Sequence, residues 1–248
     1  MSELRVAVAL RAYSEESFES VQASLGAISS LDVPVQLSTE WSLIESLGVG
    51  EILDPFHDSG VSVSAIRVPY PLRVDAFLLE KLVMVAEETE GKTIILRDVA
   101  ALSMGGLRRI ADLCATYKVR ALLEPSSGVE ASRLYGLVKR LIGGIVGFSH
   151  VEENYPSTES FLKTVLAYLG ITRNVTLSNY DADGRPAPIM APKKYNNPLL
   201  VRRLVEGGFE GTLTISYEKS PVEEPGMLAG EVAALKEYVR GVYERTVR

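Results

Sequence analysis

Apolar residues gather along the chain in eight short β-rich runs: Arg5–Leu10, Val33–Leu37, Val63–Val68, Thr93–Leu96, Arg120–Leu123, Ile145–Ser149, Asn174–Ser178 and Thr212–Ser216. Each has the length of a strand. Between them the apolar period lengthens to that of a helix over Glu15–Ser29, Asp75–Glu88, Gly106–Tyr117, Glu130–Leu141, Thr158–Leu169, Pro198–Glu206 and Leu228–Arg245, with a less regular stretch over Glu40–Phe56. Ser14, Asp75 and Ser157 stand where helix N-caps belong, and Gly91, Gly170 and Gly207 where helices stop. This alternation predicts an α/β fold, a single (β/α)8 TIM barrel occupying residues 1–248 as one domain, with an open doubly wound sheet as the alternative.

Strand parity then sorts the side chains, because alternate residues of a strand face opposite sides. Thr212, Thr214, Ser216 and Glu218 share one face of the last run, and Leu213, Ile215 and Tyr217 the other. The polar set is expected inside the barrel and the apolar set against the helices. Thr176 and Ser178 alternate with Val175 and Leu177 in the same way, so the upper ends of strands seven and eight are a polar surface: a ligand site, or wet filler.

Composition narrows this reading. With 46% hydrophobic and 23% charged residues among 248, the chain can bury a large core. A net charge of −6 supplies no broad basic surface, which disfavours a nonspecific grip on nucleic acid or anionic membrane. The one cysteine, Cys114, lies in an apolar helical stretch and reads as a buried structural thiol. No leader-like or membrane-spanning run is evident, so a cytoplasmic location is expected.

Four segments carry a resemblance to a known group of barrels: Val68-Pro69-Tyr70, Leu122-Leu123-Glu124, Val146-Gly147-Phe148, and Gly207-Gly208-Phe209-Glu210-Gly211 leading into Ile215-Ser216-Tyr217-Glu218. Their order and spacing resemble the xylose-isomerase-like superfamily, which includes sugar phosphate isomerases and epimerases and endonuclease IV. The resemblance implies a divalent metal held by carboxylates and histidines at the strand ends, polarising the oxygens of a sugar. Glu124 matches the strand-five glutamate of that pattern. The strand-six aspartate falls at or near Val151, the strand-seven histidine near Thr176, and the strand-eight glutamate on Ser216, with Glu218 two residues further on. Arg67 and Arg97 stand where endonuclease-IV-like members place histidines. A degraded metal site, no cofactor, and anion binding in its place are therefore expected, since a guanidinium binds carboxylate or phosphate and does not ligate a cation.

The candidate chemistry follows. Glu124, and with it Glu218, is a possible general base, against an ion pair of Glu124 with Arg67 or Arg97. Arg67 and Arg97 are candidate anion ligands, with Ser149, His150, Thr176, Asn179 and Ser216 as further substrate-binding candidates from the strand ends. His150 with Glu152 and Glu153 could form a replacement metal site, or His150 could be a solvated surface residue. His57 is expected at the exposed end of a helix. Asp181-Ala182-Asp183-Gly184 reads as a turn and not a calcium loop, and Asn174-Val175-Thr176 as strand and not a glycosylation site. The long segment from Tyr180 to Asn197 carries Arg185, Lys193 and Lys194 over the inferred mouth and is either a binding loop or a proline-stiffened excursion that helps form a homo-oligomer.

These residues lead to three expectations. The first is a divergent sugar or sugar-phosphate isomerase or epimerase that binds a small polyhydroxylated anion. The second is a non-catalytic ligand-binding or interaction barrel, and the third an endonuclease-IV-like repair enzyme, with nucleic acid an unfavoured partner.

Overall fold

A computed structural model describes residues 4–69, 76–97, 99–141, 144–217 and 225–246. Its eight strands are β1 (Arg5–Ala12), β2 (Val35–Thr39), β3 (Val63–Pro69), β4 (Thr93–Arg97), β5 (Arg120–Leu123), β6 (Val146–Val151), β7 (Thr172–Leu177) and β8 (Thr212–Ile215). All neighbouring pairs are parallel, and β8 returns to β1, closing the barrel in sequence order. Nine helices are present among the described residues: α1 (Glu15–Ser29), α2 (Trp41–Ser46), α3 (Val49–Asp58), α4 (Ala76–Glu87), α5 (Met104–Thr116), α6 (Gly128–Val138), α7 (Thr158–Ala167), α8 (Asn197–Glu206) and α9 (Pro225–Thr246). The predicted (β/α)8 barrel is therefore the observed fold, and none of the described helices is long and apolar enough to cross a membrane.

Local chemistry explains most of the boundaries. Ser14 and Ser17 cap α1 reciprocally: the Ser17 amide donates to Ser14 Oγ, and the Ser14 amide to Ser17 Oγ. Ser103, Ser127 and Ser157 accept in the same way at α5, α6 and α7. The irregular stretch over Glu40–Phe56 resolves into two helices: α2 ends at the extended Leu47, and Gly48 opens α3 with Glu51 reaching back to its amide. Gly207 does stop α8. Gly91 and Gly170 do not act as helix stops. Gly170 lies in a 3-10 turn after α7, and Gly91 is required because a Cβ there would lie 1.9 Å from the Ser64 carbonyl oxygen. Asp75 lies outside the described residues.

Two cores result. The larger lies between the strands and the helices and contains Leu213, Ile215 and Tyr217 as parity requires, with Cys114 fully buried and its thiol pushed up to about 12 by burial. The smaller is inside the barrel, where Ala65, Ile95 and Leu122 plug the β3–β5 side. The opposite side of the interior is polar. There Asn174 Nδ2 donates to Ser149 Oγ at 2.9 Å, to Gln36 Oε1 at 3.2 Å and to Thr176 Oγ1 at 3.2 Å, while Thr214 Oγ1 donates to Asn174 Oδ1 at 2.7 Å. This network fills the barrel beneath the C-terminal mouth and gives that mouth a hydrogen-bonded floor.

Candidate functional site at the C-terminal mouth

The last inward-facing residue of several strands reaches the mouth, and arginine recurs there. Arg11 ends the inward series Ala7, Ala9, Arg11 of β1, and Ser38 is its register partner on β2. Arg67 follows on β3, Arg97 on β4, and Glu124 directly after β5. A cavity of about 200 Å³ opens among Arg11, Tyr13, Arg67, Arg97, Val151, Glu153, Asn154, Thr176 and Ser216.

Its electrostatic centre is a buried ion pair. Arg67 donates from Nε to Glu124 Oε2 at 2.6 Å and from Nη2 to Oε1 at 2.7 Å, the planar fork matching the carboxylate. Burial works against the charge of Arg67, but the adjacent Glu124 more than offsets it, and the pKa is raised. Arg97 Nε adds a third contact to Glu124 Oε1 at 3.2 Å, and its side chain stays 45% exposed, facing the solvent side of the pair. Both carboxylate oxygens of Glu124 are therefore engaged by guanidinium groups. A carboxylate so held orients the arginines well and offers little to a divalent cation or to a substrate proton. Of the other strand-end positions that the resemblance reads as metal ligands, Thr176 and Ser216 carry neutral hydroxyls and Val151 an apolar side chain, and Ser216 Oγ accepts from Arg11 Nη2 at 3.0 Å. This donor set does not fit a divalent metal, whose cation would also meet three guanidiniums.

The sequence-derived residues divide into two groups. Arg67, Arg97, Glu124, Thr176 and Ser216 come together at the mouth. Ser149 sits below them, fully buried in the Asn174 network. Glu218 lies outside the described residues.

His150 is neither at the mouth nor solvated. It shares parity with Val146 and Phe148, so it points into the helix layer, edge-on to Phe148, with Nδ1 at 3.0 Å from the Tyr155 hydroxyl. Burial depresses its pKa to about 3, so the ring is neutral. Glu152 is also fully buried, accepting from the Ser178 amide at 3.2 Å, and burial raises its pKa well above the carboxylate range. Among the described residues no three His, Cys, Asp or Glu side chains converge as a metal site, so His150, Glu152 and Glu153 do not form the replacement set considered above. Parity separates them.

The segment from Tyr180 to Asn197 is pinned internally. Asn179, expected to meet ligand, instead holds this segment together: its Nδ2 donates to the Pro188 and Ala191 carbonyls, and its Oδ1 accepts from the Tyr180 and Tyr195 amides. Lys194 is exposed and lies over the rings of Tyr180 and Tyr195, at 5.3 and 5.1 Å, and Lys193 is exposed; neither lines the cavity. Asp181 Oδ1 accepts from the amides of Asp183 and Arg185, so Asp181-Ala182-Asp183-Gly184 is a turn. His57 is exposed in the last turn of α3.

Three cavity residues escaped the sequence reading, Arg11, Tyr13 and Asn154, and Glu153 was read only as part of a replacement metal set. Arg11 was legible by parity with Ala7 and Ala9, had β1 been extended beyond Leu10. Glu153 accepts from the Tyr180 hydroxyl, which ties the long segment to the rim of the cavity. Asn154 Nδ2 donates to the Pro125 carbonyl at 3.2 Å. These two follow β6 in a 3-10 turn, Glu152–Asn154, that the strand pattern does not announce.

No family model and no curated protein matches the sequence. Solved structures match it in fold. They include a D-allulose 3-epimerase from Methylomonas sp., at 12% identity over 98% of this chain and 99% of that one, with a TM-score of 0.64. A D-tagatose 3-epimerase-like protein matches at 13% identity over 98% and 99% of the two chains, with a TM-score of 0.63. A fusion of a xylose isomerase-like TIM barrel with 4-hydroxyphenylpyruvate dioxygenase matches at 12% identity over 98% of this chain and 45% of that one, with a TM-score of 0.67. The likeness to these structures is one of fold, the closed (β/α)8 barrel.

Proposed function

We propose that this chain, sharing its fold with xylose-isomerase-like barrels, binds a small polyhydroxylated anion at the C-terminal mouth and acts on it as a sugar or sugar-phosphate isomerase or epimerase. The resemblance read from the sequence would put divalent-metal ligands at these strand ends, and guanidinium groups stand there instead. One observation carries the reading: Arg67 is locked to Glu124, while Arg97 and Arg11 flank the same cavity. Three arginines against Glu124 and Glu153 leave this cavity with a positive excess, which suits a phosphate or carboxylate.

In this reading the proton beside a carbonyl is removed by Glu153, not Glu124, whose oxygens are already engaged. Arg97 and Arg11 stabilise the negative charge that develops on the neighbouring oxygens, as preorganised cations in a small, partly enclosed site. Thr176, Ser216 and Asn154 are placed to meet substrate hydroxyls. Exchange of a carbon-bound hydrogen of sugar phosphates in deuterated water tests this. Exchange lost in Glu153→Gln with binding retained is the expected result, and the absence of both binding and exchange across a broad panel overturns it. Metal analysis of protein purified without chelator is expected to find no stoichiometric divalent ion; one zinc, manganese or magnesium per chain at the mouth overturns the guanidinium assignment.

A second reading, binding without turnover, is favoured by the engagement of both Glu124 oxygens. Binding that is weakened by Arg97→Gln but never accompanied by hydrogen exchange selects it. DNA incision ranks behind both, since the guanidiniums occupy the places where a metal cluster would be needed; cleavage of abasic-site DNA with added zinc or manganese reverses that order.

A further inference from the structure

A second, wide cavity opens at the other end of the barrel. It measures about 1530 Å³ and lies under the N-terminal ends of β1, β5, β7 and β8, walled on one side by α9. Arg5 and Arg120 are the first residues of β1 and β5. Both have inward parity, with Ala7 and Leu122 next above them, so their side chains belong to the lowest layer of the barrel. Arg173 joins them because β6 offers no side chain at Gly147: the Arg173 Cγ lies 3.7 Å from where a Gly147 Cβ would be.

Unlike Arg67, none of these three arginines makes an ion pair among the described residues, although Asp32, Glu210, Glu237 and Glu244 border the same cavity. Arg173 spends one donor on the Thr172 carbonyl at 2.9 Å. Lys236, on the α9 wall, is committed to the Asp32 and Leu31 carbonyls at 3.0 and 3.5 Å. Arg120, exposed at the lower end of β5, is held below its ordinary pKa by partial desolvation and by the neighbouring charge of Arg173. Two guanidiniums in each other's field beside a large concave space form an arrangement that an anion between them would relieve. The N–H donors that remain to these two planar forks match the oxygens of a phosphate group.

We propose that the N-terminal face of the barrel is a second binding site, for a phosphate-bearing small molecule whose phosphate is held by Arg120 and Arg173 with Arg5 beside them. Leu4, Val6 and Tyr243 supply an apolar wall for the rest of the ligand. This site is independent of the mouth, since the plug of Ala65, Ile95 and Leu122 and the Asn174 network fill the barrel between them.

Calorimetric titration of the full chain with inorganic pyrophosphate, at fixed ionic strength, tests the assignment. Binding weakened at least tenfold in Arg120→Gln and in Arg173→Gln, and unchanged in Arg202→Gln on the exposed face of α8, which lines neither cavity, is the expected pattern. Absence of millimolar binding, binding indifferent to both lower arginines, or binding lost only in Arg97→Gln overturns it. A second readout covers the case of a variant that folds poorly: without anion, Arg173→Gln relieves like-charge repulsion and is expected to raise the thermal midpoint, while abolishing the further rise that pyrophosphate gives the unmodified chain. A lowered midpoint with undiminished pyrophosphate stabilisation would show that Arg173 is a structural partner and not a ligand.

Discussion

The two ends of the barrel use the same residue in opposite settings. At the C-terminal mouth Arg67 is buried, yet two short bonds to Glu124 compensate its charge within a cavity of about 200 Å³. At the N-terminal face Arg120 and Arg173 stand near each other, unpaired with any described carboxylate, around a space of about 1530 Å³. An arginine at a strand end has no meaning by itself. Where a carboxylate from the next strand but one meets it, the pair becomes part of the architecture; where another guanidinium meets it, the site invites an anion from outside.

The comparison is broken most severely by removing the compensating carboxylate. Glu124→Gln leaves Arg67 buried without its partner and is expected to cost about 3–5 kcal/mol in denaturant unfolding. Replacing both members, Arg67→Met with Glu124→Leu, should recover much of that loss, because the desolvation of two charges disappears along with their attraction. If the single change costs under about 1 kcal/mol, the pair is not the keystone of the mouth.

Next in size is the response to pH carried by two buried groups on the C-terminal side, His150 and Glu152. The folded chain holds His150 at about 3, below the ordinary imidazole value near 6.5. Its contribution to stability is therefore full above about pH 6.5 and is lost as pH falls toward its folded pKa, by about 1.4 kcal/mol per pH unit. Glu152 acts with the opposite sign: its raised pKa makes its contribution full below the ordinary carboxylate range and lost as pH rises through the folded value. Denaturant midpoints measured between pH 7 and pH 4 should fall less for His150→Gln than for the unmodified chain. Equal slopes would place His150 in a wetter setting than the helix layer.

The smallest effect sharpens the contrast within the mouth itself. Arg97 shares Glu124 with Arg67 but is half exposed, so Arg97→Gln should cost only about 0.2–1 kcal/mol, and less in high salt. A loss as large as that of Glu124→Gln would mean that Arg97 carries the pair and Arg67 merely packs beside it.

The architecture was legible because eight strand-length runs alternate with helical periods, and the α1 boundaries, Glu15–Ser29, follow the capping signal at Ser14. Glycine was read less well, since a glycine that lets a carbonyl approach, as Gly91 does beneath Ser64, looks in sequence like one that ends a helix. The inner side of the site was equally accessible: parity placed Thr214 and Ser216 inward and would have placed Arg11 there and His150 outward, had β1 and β6 been carried to their full lengths. What sequence could not supply was pairing. That Arg67 rather than Arg97 takes the bidentate bond to Glu124, and that Asn179 turns toward its own loop, depend on backbone positions distant in the chain.

The way Asn179 gathers the segment from Tyr180 to Asn197 has a consequence for how that surface wears in solution. Its amide side chain ties together four backbone positions, the Tyr217 hydroxyl donates to the Ala187 carbonyl, and the Ile189 amide is held by Glu231. A stretch of this length without regular structure would ordinarily be the first to be nicked by a protease and the first to trade its amide hydrogens for deuterium. Here the amides of Tyr180, Ile189 and Tyr195 should exchange with the slow class of the barrel. Cleavage should be confined to the outer tip near Gly184, leaving a nicked chain that stays assembled.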